Sequence, residues 1–240
     1  MPFPDDPGPL SIQRVAAALG ALSSDVVFVG GAVIPLLATA PVLPNFRETV
    51  DVDFIAEIVS RASYSKFEEA MRQRGFTHDT REGAPLCRWQ LGPITVDAMP
   101  TESDILGFSN PWYPHVLEAS RPFTFDDGPT VRIASAPTFV ATKWTAFQHR
   151  GRRGGEPDYY ASHDLEDILT VLDSREETVA ETEEADPEVR NALIWACRSL
   201  LEDARFVDAL PGLVEKGRRA IVTERLRALA SLHIGEVGGA

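Results

Sequence analysis

Asp51 and Asp53 alternate with apolar residues in the run Val50-Asp51-Val52-Asp53-Phe54. Side chains on a strand alternate between its two faces, so this i, i+2 pair shares one face while Val52 and Phe54 share the other. An unpaired buried charge is costly, which makes the acidic face one that cations must reach. A third aspartate, Asp97, stands in Ile94-Thr95-Val96-Asp97-Ala98-Met99, again inside an apolar strand-like run. If the two strands are neighbours, three carboxylates meet at one edge of a sheet. Such an oxygen-rich set with open positions suits Mg²⁺ or Mn²⁺, which keep several waters and bind substrate phosphates.

Upstream of this strand lies the pair Gly30-Gly31, preceded by the apolar run Val26 to Val29 and followed by a helix-like stretch from Ala32 to Ala38. A glycine backbone approaches phosphate oxygens without a Cβ in the way, and a following helix N-terminus favours negative charge. Ser11 is expected to cap a first helix carrying Val15, Ala16 and Leu19. Tyr64 to Arg74 is amphipathic and stops at Gly75. Strands are expected at Phe76 to His78, Leu86 to Leu91, Ile94 to Ala98, Phe123 to Phe125 and Thr130 to Ile133, with Gly92-Pro93 turning a hairpin.

From Pro137 the apolar spacing is helical almost throughout: Pro137 to Arg150, Ser162 to Leu172, Pro187 to Leu210 and Pro211 to His233. The reading is therefore an α+β fold. A small mixed sheet with flanking helices spans 11–135, and a helical region over 136–235 completes the cleft. The acid-rich stretch from Glu176 to Glu188 reads as a solvated linker or helix face.

A formal charge of −13 argues against non-specific nucleic-acid binding, because phosphate affinity comes from Lys and Arg. A local basic segment, Lys143 to Arg153, leaves RNA open as a partner. No apolar run approaches the roughly 20 residues needed to span a bilayer. The opening Met1-Pro2-Phe3-Pro4-Asp5-Asp6 lacks the basic and apolar parts of a signal peptide, so a cytoplasmic protein with no membrane partner is expected. Cys87 and Cys197 have no ligand spacing and read as buried, reduced thiols.

Within the basic segment, Lys143 and Arg150 are seven residues apart and share a helical face, where they can meet a triphosphate or its leaving pyrophosphate. Asp164 and Asp167, at i and i+3, can hold that lysine, orient a ligand hydroxyl or accept a proton. They fit equally the start of a helix capped by Ser162. Arg47 is placed to bridge a carboxylate or a phosphate and Thr49 to bond the loop backbone, with structural roles an equal alternative. Trp112 and Tyr113 suit either a base-stacking wall or core packing.

The pattern Gly30, Gly31, Asp51, Asp53, Asp97 resembles the nucleotidyltransferase superfold of the DNA polymerase β type. Arg47-x-Thr49-x-Asp51-x-Asp53-Phe54 is similar to the branch of AbiEii-type toxins of bacterial toxin–antitoxin pairs, as are Lys143, Arg150 and Asp164-Leu165-Glu166-Asp167; His163 stands where that branch has Arg. The resemblance implies Mg²⁺- or Mn²⁺-dependent transfer of NMP from an NTP to a hydroxyl, with a tRNA 3′ end or a protein side chain as acceptor and an antitoxin as partner. A small-molecule acceptor belongs to other branches. The implied catalytic set is Asp51, Asp53, Asp97, Lys143 and Asp164, with Asp51, Asp53 and Asp97 as metal ligands. The nucleotide and phosphate set is Gly30, Gly31, Arg47, Thr49, Lys143 and Arg150. The competing readings are an Asp-x-Asp glycosyltransferase using a sugar nucleotide and an inactive nucleotide-binding module.

Overall fold

The computed structural model describes residues 8–40, 49, 51–58, 60–107 and 109–235. These form two compact units, one of residues 8–36 and 49–135, the other of residues 37–40 and 136–235.

The first unit opens with α1 (Pro9–Leu19), which begins two residues before the expected cap. Ser11 is buried inside the helix, and Pro9, whose fixed φ suits the first helical turn, starts it. β1 (Val26–Val29) is buried at every position and ends at Gly30. The glycine pair then leads into a short 3₁₀ turn (Gly31–Val33) and the four-residue α2 (Ile34–Leu37). The expected helix is thus too short to present a substantial dipole. It ends where Thr39 and Ala40 donate their N–H groups to the Ser174 carbonyl instead of to helix carbonyls.

Next come β2 (Asp51–Ala56), α3 (Arg61–Gln73), β3 (Thr77–His78), β4 (Arg88–Leu91) and β5 (Ile94–Pro100). α3 is fixed at its start by a reciprocal Ser60/Ser63 capping box. Two short helices, α4 (Ser103–Leu106) and α5 (Tyr113–Glu118), precede β6 (Arg121–Thr124) and β7 (Thr130–Ile133). The seven strands form one mixed sheet in the order β3-β4-β5-β2-β1-β7-β6. β2 lies parallel to β5 and antiparallel to β1, while β4 and β5 form the expected hairpin around Gly92-Pro93. Val52, Phe54, Val96 and Ala98 point into the core, which leaves Asp51, Asp53, Thr95 and Asp97 on the opposite face.

The second unit contains α6 (Ala136–Arg150), a small hairpin of β8 (Arg152–Arg153) and β9 (Glu156–Pro157), then α7 (His163–Ser174), α8 (Thr178–Glu184), α9 (Pro187–Glu202), α10 (Ala204–Leu213) and α11 (Arg219–Ser231). Ser162 caps α7 by accepting the Leu165 N–H. The expected helix from Pro187 to Leu210 breaks at Asp203. There the carboxylate accepts the Arg205 N–H as the cap of α10 and is bonded by the Tyr159 hydroxyl and the Arg205 guanidinium. Pro211, expected to open a helix, lies inside α10. The acidic stretch forms a helix face: Thr178 and Thr182 of α8 are buried, and Glu181 accepts from the buried Arg175. No described helix is long and apolar enough to cross a membrane.

Candidate active site

Strand register decides which polar side chains become neighbours in the first unit. Val29, Asp53, Asp97 and Arg88 follow one another across β1, β2, β5 and β4 as directly paired residues. Asp51 lies beside Thr95 in the same parallel pair. Like charges on paired positions repel, and the fourth residue of the row supplies the compensation. Arg88 donates Nε to Asp97 Oδ1 at 2.9 Å and Nη2 to Asp97 Oδ2 at 2.7 Å, a two-pronged pairing. The same Nη2 is 3.9 Å from Asp51 Oδ2. The Asp97 side chain is 14% exposed and that of Asp51 41%, so the row opens toward solvent at Asp51. The bond to Asp97 raises the Arg88 pKa and keeps the guanidinium charged. Burial and the neighbouring Asp97 charge push the adjacent Cys87 thiol up to about 12.

The turn after β1 is built to admit the Asp53 carboxylate. Gly30 has φ +72°, and a Cβ there would fall 1.8 Å from Asp53 Oδ2. A side chain at this point is excluded by both backbone and contact. Val33 N–H donates to the Gly30 carbonyl at 3.3 Å, curling the turn. Three carboxylates share one sheet face, with a glycine turn beside one of them, and their hard oxygens are the donor type that divalent cations take. Among the described residues, however, no three acidic, histidine or cysteine side chains converge as a ready ligand group. Asp97 is directed to Arg88 instead.

The second unit carries a separate cluster. Lys143 of α6 lies 3.3 Å from Asp164 Oδ1 and 2.6 Å from Asp167 Oδ2, both near the start of α7. Arg150, further along the same face of α6, makes a two-pronged pairing with Asp164 at 2.7 and 2.8 Å. Asp164 and Asp167 are buried, which sets them apart from simple solvent-facing cap residues. Burial works to raise the Asp164 pKa, but the bonds from Arg150 and the Lys143 charge outweigh it, leaving the carboxyl below its ordinary value.

Asp51, Asp53 and Asp97 therefore share a sheet face with Gly30 beside Asp53, and Lys143, Arg150, Asp164 and Asp167 form one cluster. Arg47 lies outside the described residues. The Thr49 carbonyl accepts the Gly8 N–H at 3.4 Å. His163 is exposed beside Glu166. Tyr113 is buried and donates to the Met99 sulfur, so it packs in the core of its own unit. Arg88 is the residue sequence reasoning missed. The signal was present: three steps outward from the hairpin pair Leu91 and Ile94 reach Arg88 and Asp97.

The strand, glycine turn, acid-x-acid strand and acid on the adjoining parallel strand follow the order expected from the resemblance to nucleotidyltransferases. The family model described as "Nucleotidyl transferase AbiEii toxin, Type IV TA system" matches residues 14–230. The chain belongs to this nucleotidyltransferase family. No curated protein is similar enough to match. Twelve solved chains are similar to this one, two of them as follows. One is an antigenic nucleotidyltransferase-like protein from Paracoccidioides brasiliensis, at 19% identity over 91% of each chain with a TM-score of 0.48. The other is the antibiotic-resistance factor ANT(2'')-Ia, at 16% identity over 92% of this chain and 94% of that one, with a TM-score of 0.41.

Proposed function

We propose that the protein transfers NMP from an NTP to a hydroxyl on a tRNA 3′ end or a protein side chain, acting in the cytoplasm as the toxin of a toxin–antitoxin pair. The observation that carries this reading is the carboxylate face of β2 and β5, where Asp53 and Asp97 are directly paired and Asp51 lies on the same side. In the reaction the acceptor oxygen forms a bond to the α-phosphorus as the bond to the bridging oxygen breaks, pyrophosphate leaves, and the acceptor's proton passes to a base or to water.

Asp51, Asp53 and Asp97 are the residues proposed to hold Mg²⁺ or Mn²⁺. When bound, a pair of such ions supplies activation of the attacking hydroxyl and stabilisation of the leaving oxygen. Gly30 and Gly31 let the turn approach phosphate oxygens closely, and Gly30 keeps the space into which Asp53 projects. Thr49 and Arg47, on the approach to β2, are assigned to the same phosphates. Lys143 and Arg150 are proposed as the cations that serve the triphosphate, with Asp164 and Asp167 fixing where the lysine ammonium can stand.

The test is transfer of label from each of four α-³²P-NTPs into total RNA and into cell-lysate protein, with Mg²⁺ or Mn²⁺ present. Wild type is compared with Asp51→Asn/Asp53→Asn. Label in one fraction that disappears in the variant is the expected result and identifies the acceptor class. Equal label in both proteins would overturn the assignment of the aspartates, and no label with any NTP would overturn RNA and protein as acceptors.

A further inference from the structure

Nothing in the proposed chemistry accounts for Arg88, yet its guanidinium holds both oxygens of one of the three carboxylates. Its place is set by a short-range feature of the fold, the β4–β5 hairpin, which brings Arg88 directly opposite Asp97. The two bonds, at 2.9 and 2.7 Å, match the planar fork of a guanidinium to a carboxylate. The remaining reach of the same nitrogen is toward Asp51, at 3.9 Å. Arg88 thus lies along the carboxylate face, with a cationic group where a divalent ion on Asp97 would have to bring its own charge. Two cations competing for one carboxylate repel at short range, and more strongly in a partly buried setting. The Arg88 side chain is 27% exposed and ends a flexible stem, so it has room to leave.

We propose that Arg88 is a built-in counterion that competes with the divalent ion for Asp97, so that full loading of the site requires Arg88 to release that carboxylate. Without an ion, Arg88 offsets the repulsion between the paired Asp53 and Asp97 and keeps the face folded. With an ion, its freed fork is suited to a phosphate oxygen. Arg88 is in this sense a positioning residue that ties ion loading to the state of Asp97. The inference rests on the metal-site reading above.

Two measurements test it, neither of them activity. The first is Mn²⁺ binding, followed by the loss of the free-ion electron paramagnetic resonance signal, in wild type, Arg88→Met and Asp51→Asn/Asp53→Asn. Arg88→Met is expected to bind Mn²⁺ at least tenfold more tightly than wild type, or to bind one ion more. The second uses wild type alone, so it survives any folding defect of the variant. The Nε–H resonance of Arg88, assigned by its absence in Arg88→Lys, is expected to shift and lose its protection from exchange as Mg²⁺ is added. Unchanged or weaker Mn²⁺ binding by Arg88→Met, with an unmoved Arg88 resonance at saturating Mg²⁺, would overturn the role of Arg88 while leaving the ion site standing. Wild-type-like Mn²⁺ binding by Asp51→Asn/Asp53→Asn would instead remove the ion site, and this inference with it.

Discussion

The two charge clusters use the same residue types to opposite ends. In the helical unit, Lys143 and Arg150 meet Asp164 and Asp167, two cations against two anions, with both carboxylates buried. On the sheet, Arg88 pairs with Asp97 and reaches toward Asp51, on a face that also carries Asp53 and opens to solvent at Asp51. Buried carboxylates paired with cations cost much to disturb and hold their partners still. A carboxylate face open to solvent tolerates disturbance, and its negative charge draws cations.

The largest expected effect is on chemistry at the sheet face. Asp53→Asn should lower transfer by roughly a thousandfold or more, equivalent to about 4 kcal/mol or more of barrier. It should leave the Tm equal or slightly raised, because one of two paired like charges is gone. Full transfer in that variant would remove the carboxylate mechanism, and a large fall in Tm would give the sheet cluster a structural role.

Removing charge from the helical cluster should do the reverse. Lys143→Met leaves two buried carboxylates without their common cation, so denaturant unfolding should show a loss of about 3–5 kcal/mol. Adding Asp167→Asn should recover part of it. At conditions where the variant is folded, KM for NTP should rise more than the Mn²⁺ dissociation constant changes. An unchanged KM would assign Lys143 to structure.

Acid should find the same difference more gently. Asp164 titrates below its ordinary value in the folded chain, so the stability it contributes is fully present above the unfolded value of about 3.9 and is lost as pH falls through the lower folded one. Wild-type Tm should drop across that window, and Asp164→Asn should start lower and fall less steeply. Equal slopes would mean that Asp164 gains nothing from Arg150 and Lys143.

The smallest effect is a control beside the sheet cluster. Burial raises both Cys87 and Cys197 to about 12, so the native protein should resist thiol alkylation at pH 8 while the unfolded chain reacts fully. Rapid reaction at Cys87 would mean that the strand carrying Arg88 opens readily.

Where sequence reasoning succeeded, one short-range rule sufficed. Alternation placed Asp51 and Asp53 on the face opposite Val52 and Phe54, and it did the same for Asp97 against Val96 and Ala98. Ser162 was legible as a cap because the helix that follows needs an acceptor for its first N–H groups. The failures came where a tertiary partner outbid a local pattern. Apolar spacing ran through Asp203, but the carboxylate is held by Tyr159, 44 residues away, and the helix breaks there. The helix expected after Gly31 lost its continuation to the Ser174 carbonyl. Arg88 carried no signal as an isolated arginine between Cys87 and Trp89. Its meaning appears when the hairpin register is counted.

Gly30 has a consequence for how activity can be lost. A methyl group there would collide with the Asp53 carboxylate and displace it without removing any ionisable side chain from the sequence. Under the proposed toxin role, replacements at Gly30 should therefore appear beside those at the aspartates among variants recovered from surviving cells. A position without any functional group becomes as sharp a point of genetic failure as the acids it accommodates.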